Sequence, residues 1–371
     1  MEKMNVKPAT GKLGVLCVGL GAVTSTFMTG VLMARKGLAK PVGSMTQYDK
    51  MRVGRGENKK YLHYGEIVPL ANLNDIVFGA WDVYPANAYE SAVNAEVLKE
   101  KDINPVKDEL EKIVPMKAAF DHNYASRLDG DNVKDCKNRW DMMEQLREDI
   151  RNFKVANNCD RIVVLWAAST EIYVPVDEKI HGTLAALEQA MKDDDKAHIA
   201  PSMCYAYAAL SEGCPFIMGA PNTTVDIPAM WELAEKTKMP IAGKDFKTGQ
   251  TLVKSGFAPI IGTRCLGLDG WFSTNILGNR DGLMSRLTST RRRSANYLHW
   301  NLFLFRKISR TCIQTTIIKY VSITIRLVMI IKKVGIILIS SDGWGIQCRL
   351  RLISFAVIRF LLLLCAWTLY C

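Results

Sequence analysis

The stretch LGVLCVGLGAVTST, Leu13 to Thr26, decides the fold. Leu13–Val18 is a short apolar run with no polar alternation, which reads as a parallel strand buried on both faces. It passes directly into Gly19-Leu20-Gly21-Ala22-Val23-Thr24, and Phe27–Ala34 then has helical spacing. Strand, glycine-rich turn and helix form the opening unit of a dinucleotide-binding fold. The glycines let the backbone approach a pyrophosphate, which rests on the helix N-terminus. Thr24 stands where the pattern GxGxxG has its third glycine, so the same text also fits a tight turn in any α/β protein. Asp49 is the first acid after the next candidate strand. It reads either as a partner for a ribose hydroxyl or as a solvated loop acid.

Further apolar runs follow at intervals. Asp75–Trp81 (DIVFGAW) reads as a strand ending at Asp82, Arg161–Ala167 (RIVVLWA) as a second, Pro215–Gly219 (PFIMG) as a third and Pro240–Ala242 as a short last one. Between them, residues 86–114 are helical in composition, as are 139–155, where Met142, Leu146, Ile150 and Phe153 lie on one stripe. Thr183–Met191 and the small, apolar Ser202–Ser211 also read as helices. Asp226 is expected to cap one more, with Pro228 near its start and Ile227, Met230, Leu233 and Ala234 on its core face. Strands alternating with helices over this length predict a doubly wound α/β parallel sheet. Ligands of such sheets bind beyond the C-terminal strand ends, which draws attention to Ser169, Thr170 and Glu171 after the RIVVLWA strand. Past the last strand comes Gly243-Lys244-Asp245-Phe246-Lys247-Thr248-Gly249-Gln250-Thr251, with Lys254. Three lysines there suit a phosphorylated small molecule, and a lysine in a closed site can serve as an acid or base. A solvated basic turn is the plainer reading.

Charge divides the chain. The 371 residues carry +11 overall, which by itself suggests an anionic partner. Residues 287–371, however, hold thirteen Lys and Arg against one acid, Asp342, leaving 35 basic and 36 acidic residues in 1–286. The first part is near-neutral, and no nucleic-acid partner is expected. Prolines stop at Pro259. The six cysteines of 1–286 show no paired spacing and the N-terminus has no apolar signal core, so a reducing, cytoplasmic location is expected. The histidines form no metal-binding spacing.

Longer blocks resemble one family. VLWAASTEIYV (Val164–Val174) is similar to the VLWTANTERYV block of myo-inositol-1-phosphate synthases. His198–Thr224 (HIAPSMCYAYAALSEGCPFIMGAPNTT) resembles that family's EIAPSTIFAAASILEGVPYINGSPQNT. IAGKDFKTGQT (Ile241–Thr251) resembles IAGDDLKSGQT, and TNILGNRDG (Thr274–Gly282) resembles NHLGNNDG. The resemblance covers about 13–286. It implies a Rossmann-like NAD-binding domain over 1–243 and, from 244 to 286, the start of an α+β catalytic and tetramerisation domain. It also implies NAD-dependent conversion of glucose 6-phosphate to inositol phosphate by a homotetramer. NAD would be held by Gly19, Gly21, Ala22, Val23, Thr24, Asp82, Ala168, Ser169, Thr170, Gly219, Asp245, Asn279 and Asp281. Asp245, Lys247 and Lys254 would be catalytic, the lysines serving as preorganised cations for developing negative charge. Two departures stand out: Gly21-Ala22-Val23 differs from the family's GGNNG-like loop, and Ser169 replaces its usual Asn.

After Arg286 the family text stops. Lys332–Gly345 (KKVGIILISSDGWG), Ile353–Tyr370 and Thr288–Arg293 can each be back-translated so that a one-base shift restores family-like text. Residues 287–371 are therefore expected to be a frameshifted, non-native tail. The competing reading is membrane attachment through the apolar stretches Ile317–Ile339 and Leu352–Cys371, although Arg326, Lys332, Lys333 and Arg359 would be costly at a bilayer centre.

Overall fold

The computed structural model describes residues 9–48, 50–243, 245–246, 256–260, 263, 267–277, 317–324, 331–341 and 347–357. Their contacts divide the chain into two units, the first reaching Phe246 and the second running Lys247–Arg359.

In the first unit, β1 (Lys12–Val18) is the central strand. A small antiparallel hairpin, β2 (Lys50–Val53) and β3 (Lys60–His63), separates it from β4 (Ile76–Asp82). The sheet then adds β5 (Met116–Lys117), β6 (Cys159–Trp166), β7 (Phe216–Met218) and β8 (Ile241–Gly243). Its order is β5-β4-β1-β6-β7-β8 and every pairing is parallel. Counting only these strands, that is the 3-2-1-4-5-6 order of the Rossmann fold, with β1 and β6 flanking the point where the winding reverses. Register is fixed across the centre, Val15 standing beside Phe78 on one side and Val163 on the other.

Each central strand feeds two cores. Leu13, Val15 and Cys17 face one side with Phe78, Val163 and Leu165, under α1 (Ala22–Arg35) and α2 (Ala88–Ala95). Leu16 and Val18 face the other with Trp81, Val164 and Trp166. There they meet α3 (Arg139–Ala156), α4 (Leu184–Lys192), α5 (Pro201–Ser211) and α6 (Pro228–Thr237). Burial on both faces explains the unbroken apolar runs of the sequence. On the α1 side, a cleft of about 510 Å³, counting the space open to solvent, lies over Leu13, Val15, Val163, Leu165 and Ile217.

Two expectations need correction. The 86–114 segment is broken into short helices, because Glu96 turns left-handed (φ +52°) and Pro105 follows. Asp226 does not cap α6. The N-cap is Ile227, without a side-chain bond, and the Asp226 amide instead donates to the Thr223 carbonyl.

In the second unit, β9 (Gly267–Leu277), β10 (Ile317–Thr324), β11 (Ile331–Ser341) and β12 (Gln347–Val357) form a sheet of order β10-β9-β11-β12. The β9–β10 pairing is parallel and the other two are antiparallel. The segment expected to be non-native thus contributes three strands, as its Ile-rich composition favours. Among the described residues, no helix is long and apolar enough to cross a membrane.

Candidate dinucleotide site

The ends of β1, β4 and β6 are tied together where the sheet reverses. The Gly19 amide donates to the Trp81 carbonyl at 2.8 Å, and the Ala167 amide donates to the Val18 carbonyl at 2.8 Å. Gly19 sits at φ +93°, and a Cβ there would lie 2.6 Å from the Ala168 Cα. Only glycine satisfies both demands. Gly21 is different. Its φ is −88° and nothing lies within 4 Å of where a Cβ would be, so its backbone faces open space.

Gly21 is also the N-cap of α1, which has no side-chain cap and no acid in its first turn. The first amides of the helix, at Ala22 and Val23, therefore receive no acceptor from a capping side chain. This is the arrangement a pyrophosphate needs. Thr24 is buried, and its hydroxyl donates to the Gly19 carbonyl at 2.6 Å. It closes the turn from inside.

Asp82 ends the second strand in winding order, where the fold carries its ribose-binding acid. One carboxylate oxygen accepts from the Leu20 amide and the other from the Tyr84 amide at 2.9 Å, and the Asn132 side chain donates to its carbonyl. The acid thus braces the glycine turn. Asp49 lies outside the described residues.

Ala168 packs against Gly19, Ser169 is half-buried and Thr170 is buried. Gly219 is a packing glycine. Its amide donates to the Trp166 carbonyl at 3.0 Å, its carbonyl accepts from the Phe246 amide at 3.0 Å, and a Cβ would meet the Phe246 ring at 2.3 Å. Asp245 is held at φ +67° with its amide on the Ala220 carbonyl, a left-handed conformation that aspartate tolerates better than most non-glycine residues. Lys247, Lys254, Asn279 and Asp281 lie outside the described residues.

Sequence reading noted Glu171 only as one of the strand-end group, and its burial and partners were not foreseen. Glu171, directly after Thr170, is 4% exposed and accepts three hydrogen bonds, from the Ser202 amide (2.9 Å), the Ser202 hydroxyl and the Asn222 side-chain amide (3.1 Å). Its only signal was an acid inside the apolar text after β6. Burial pushes the thiols of Cys17 and Cys204 up to about 12, so neither is a nucleophile. Among the described residues no cluster of His, Cys, Asp or Glu has the arrangement of a metal site.

The strand order, the Gly19 turn and the uncapped start of α1 define a Rossmann-type dinucleotide-binding protein. The family model of the NAD-binding domain of myo-inositol-1-phosphate synthase matches residues 13–366, and this chain belongs to the myo-inositol-1-phosphate synthase family. Inositol-3-phosphate synthase 1 of Bacteroides thetaiotaomicron is 62% identical over 281 residues, 76% of this chain and 65% of that protein. The Saccharomyces cerevisiae synthase is 31% identical, over 73% of this chain and 55% of its own. The Caenorhabditis elegans inositol-3-phosphate synthase structure matches with a TM-score of 0.88 at 25% identity, covering 96% of this chain and 73% of that one. A Thermotoga maritima protein described as myo-inositol-1-phosphate synthase-related shares the fold, with a TM-score of 0.71 at 17% identity, over 95% of this chain and 85% of its own. The chain thus spans between a half and two thirds of the length of the curated relatives it matches. NAD is the cofactor of this domain, and the open approach at Gly21 with the uncapped helix behind it fits a pyrophosphate.

Proposed function

We propose that the first unit holds NAD and that the lineage activity is the conversion of D-glucose 6-phosphate to 1L-myo-inositol 1-phosphate. In that reaction NAD accepts a hydride from C5 of the sugar phosphate and later returns it, so no net redox change results. The residues assigned to the dinucleotide are Gly19, Gly21, Ala22, Val23, Thr24, Asp82, Ala168, Ser169, Thr170, Gly219, Asp245, Asn279 and Asp281. Gly21 and the first amides of α1 take the pyrophosphate, Asp82 the ribose, and the 168–170 loop covers the end of β6. Asp245, Lys247 and Lys254 are the catalytic set, Lys247 and Lys254 acting on the sugar phosphate and on charge developing during enolisation.

We further propose that the reading frame is lost near Arg286, and that this polypeptide binds NAD without completing turnover, in the cytoplasm and without the family's tetramer. The observation that carries the NAD reading is the open Gly21 backbone at the winding reversal, beneath a helix with no cap of its own. The truncation reading is supported by the composition after Arg286, thirteen Lys and Arg against one acid and no proline.

The test is a calorimetric titration of the 371-residue chain with NAD, together with an assay for inositol phosphate from glucose 6-phosphate. NAD binding without product is expected. Product formation overturns the truncation reading, and absence of NAD binding overturns the cofactor reading. Resequencing the coding DNA across Arg286 decides the frame: one base restoring KTKEVSK-like and GWDNIDIFGW-like text supports the loss, and a DNA that stands as read with no family text downstream in another frame refutes it.

A further inference from the structure

A buried carboxylate is costly unless its oxygens are supplied with donors. Glu171 is supplied from two separate segments. Oε1 takes the Ser202 amide at 2.9 Å, while Oε2 takes the Ser202 hydroxyl and the Asn222 Nδ2 at 3.1 Å. The Glu171 amide donates to the Asn222 Oδ1 at 3.2 Å, so both ends of the Asn222 amide are used and its orientation is determined. Ser202 is the second residue of α5, whose N-cap, Ala200, has no side chain able to cap it. Glu171 therefore serves as the cap from a distant loop, at the helix end that favours negative charge. The Ser202 hydroxyl proton goes to Glu171, so Thr224 is the donor in the 2.6 Å contact between the Thr224 and Ser202 hydroxyls.

One carboxylate thus joins the loop after β6, the start of α5 and the loop after β7. The first carries Ala168, Ser169 and Thr170, and the last follows Gly219. Glu171 is too buried to reach a ligand itself. We propose that Glu171 is a positioning residue for the dinucleotide, its ionised carboxylate holding the 168–170 loop and the 220–224 loop at the spacing the cofactor requires. This rests on the NAD reading of the site.

The charged and titratable groups around it are Arg139 on α3, Asp121 and Tyr124 ahead of α3, and Cys204 and Tyr205 on α5. Burial pushes the Glu171 carboxyl up to about 7, opposed by the Ser202 hydrogen bonds and by Arg139. The lock therefore forms as pH rises through neutrality, and NAD affinity rises with it.

The pairing pattern dictates the test. In Glu171→Gln, an amide N–H replaces one acceptor and meets a donor, the Ser202 amide or Asn222 Nδ2. Adding Asn222→Asp supplies an acceptor opposite Gln Nε2 while still accepting from the residue 171 amide. In the 371-residue chain, NAD dissociation constants are measured at about pH 6 and about pH 8, with hydrogen exchange of the loop peptides 167–175 and 219–226. Binding by the parent chain is expected to be tighter at the higher pH. Glu171→Gln is expected to weaken it about tenfold there, remove the pH dependence and raise exchange in both loops together. The double substitution is expected to restore affinity to within about threefold and to quiet both loops. If Glu171→Gln does not fold, Ser202→Ala carries the comparison, since it deletes one donor and is expected to cost about threefold. A parent chain that binds NAD and a variant that binds it equally well, with unchanged exchange, overturns the role of Glu171 alone. A parent chain that does not bind NAD overturns the cofactor reading, and this role with it.

Discussion

The two glycines of the turn after β1 should respond oppositely to the same methyl group. In Gly19→Ala, the new Cβ falls 2.6 Å from the Ala168 Cα and 2.8 Å from its amide nitrogen, both backbone atoms that cannot swing aside. The residue also sits at φ +93°. The left-handed conformation costs roughly 1–2 kcal/mol for an L side chain, and forcing the loop away costs roughly 1–3 kcal/mol more. A total near 3 kcal/mol lowers the melting temperature of a unit this size by roughly 10 °C. In Gly21→Ala, φ is −88° and the Cβ enters open space, so the stability change stays within about 1 kcal/mol. That open space is where the pyrophosphate must approach, and NAD affinity should fall at least about tenfold. Scanning fluorimetry on both variants, paired with calorimetric titration of NAD, separates the effects. Equal melting losses would refute the steric argument, and a Gly21→Ala chain that binds NAD like the parent would refute the location of the pyrophosphate.

Other tests address the scaffold and its pH response. Arg139 and Asp121 form a buried ion pair, with the Arg139 Nε–H on the Ile199 carbonyl at 3.0 Å. Asp121→Ala strands that guanidinium and should cost roughly 3–5 kcal/mol in denaturant unfolding; a loss below about 1 kcal/mol would place the pair among those worth little. Burial raises the Asp121 carboxyl, but the Arg139 and Asn123 bonds outweigh it and leave it below the usual range. Its contribution is therefore present above about pH 4 and lost as pH falls through the folded value. His181 is fully buried and neutral, Nδ1 accepting from the Asp177 amide and Nε2 donating to the His198 carbonyl, and burial lowers its pKa. Stability should decline as pH falls below about 6.5, because the unfolded chain takes up that proton first. Glu171 acts oppositely. Its raised pKa makes stability decline as pH rises from about 4.3 towards 7, and Glu171→Gln should flatten that limb of a melting-temperature profile. An unchanged limb would show that Glu171 does not titrate there. Reinserting one base near Arg286 in the coding DNA should turn a chain without turnover into one that forms inositol phosphate; no gain would argue against the frame loss.

Much of the site region was legible because its signals are local. A strand buried on both faces must be apolar at consecutive positions, so β1, β4, β6 and β7 are visible as runs such as LGVLCV and RIVVLW. The glycine turn is a backbone requirement expressed in a few residues. Legibility failed where a contact joins distant segments. Asp226 precedes Pro228 as a cap would, yet its amide is drawn into a turn with Thr223, and the N-cap falls one residue later, at Ile227. Gly219 and Phe246 stand 27 positions apart, so only the fold discloses that the glycine makes room for the ring.

The sequence by itself determined the fold class, the glycine turn, the family and the break in composition after Arg286, because each depends on neighbouring residues or on contiguous blocks of text. Tertiary structure alone decided the 3-2-1-4-5-6 order that brings Asp82 beside Leu20, the inward turn of Thr24, and the joining of Glu171 to Ser202 and Asn222. The partners of Glu171 lie 31 and 51 residues away. A buried carboxylate leaves one acid letter in the chain, while the donors that make its burial tolerable are assembled only when separate strands and helices pack together.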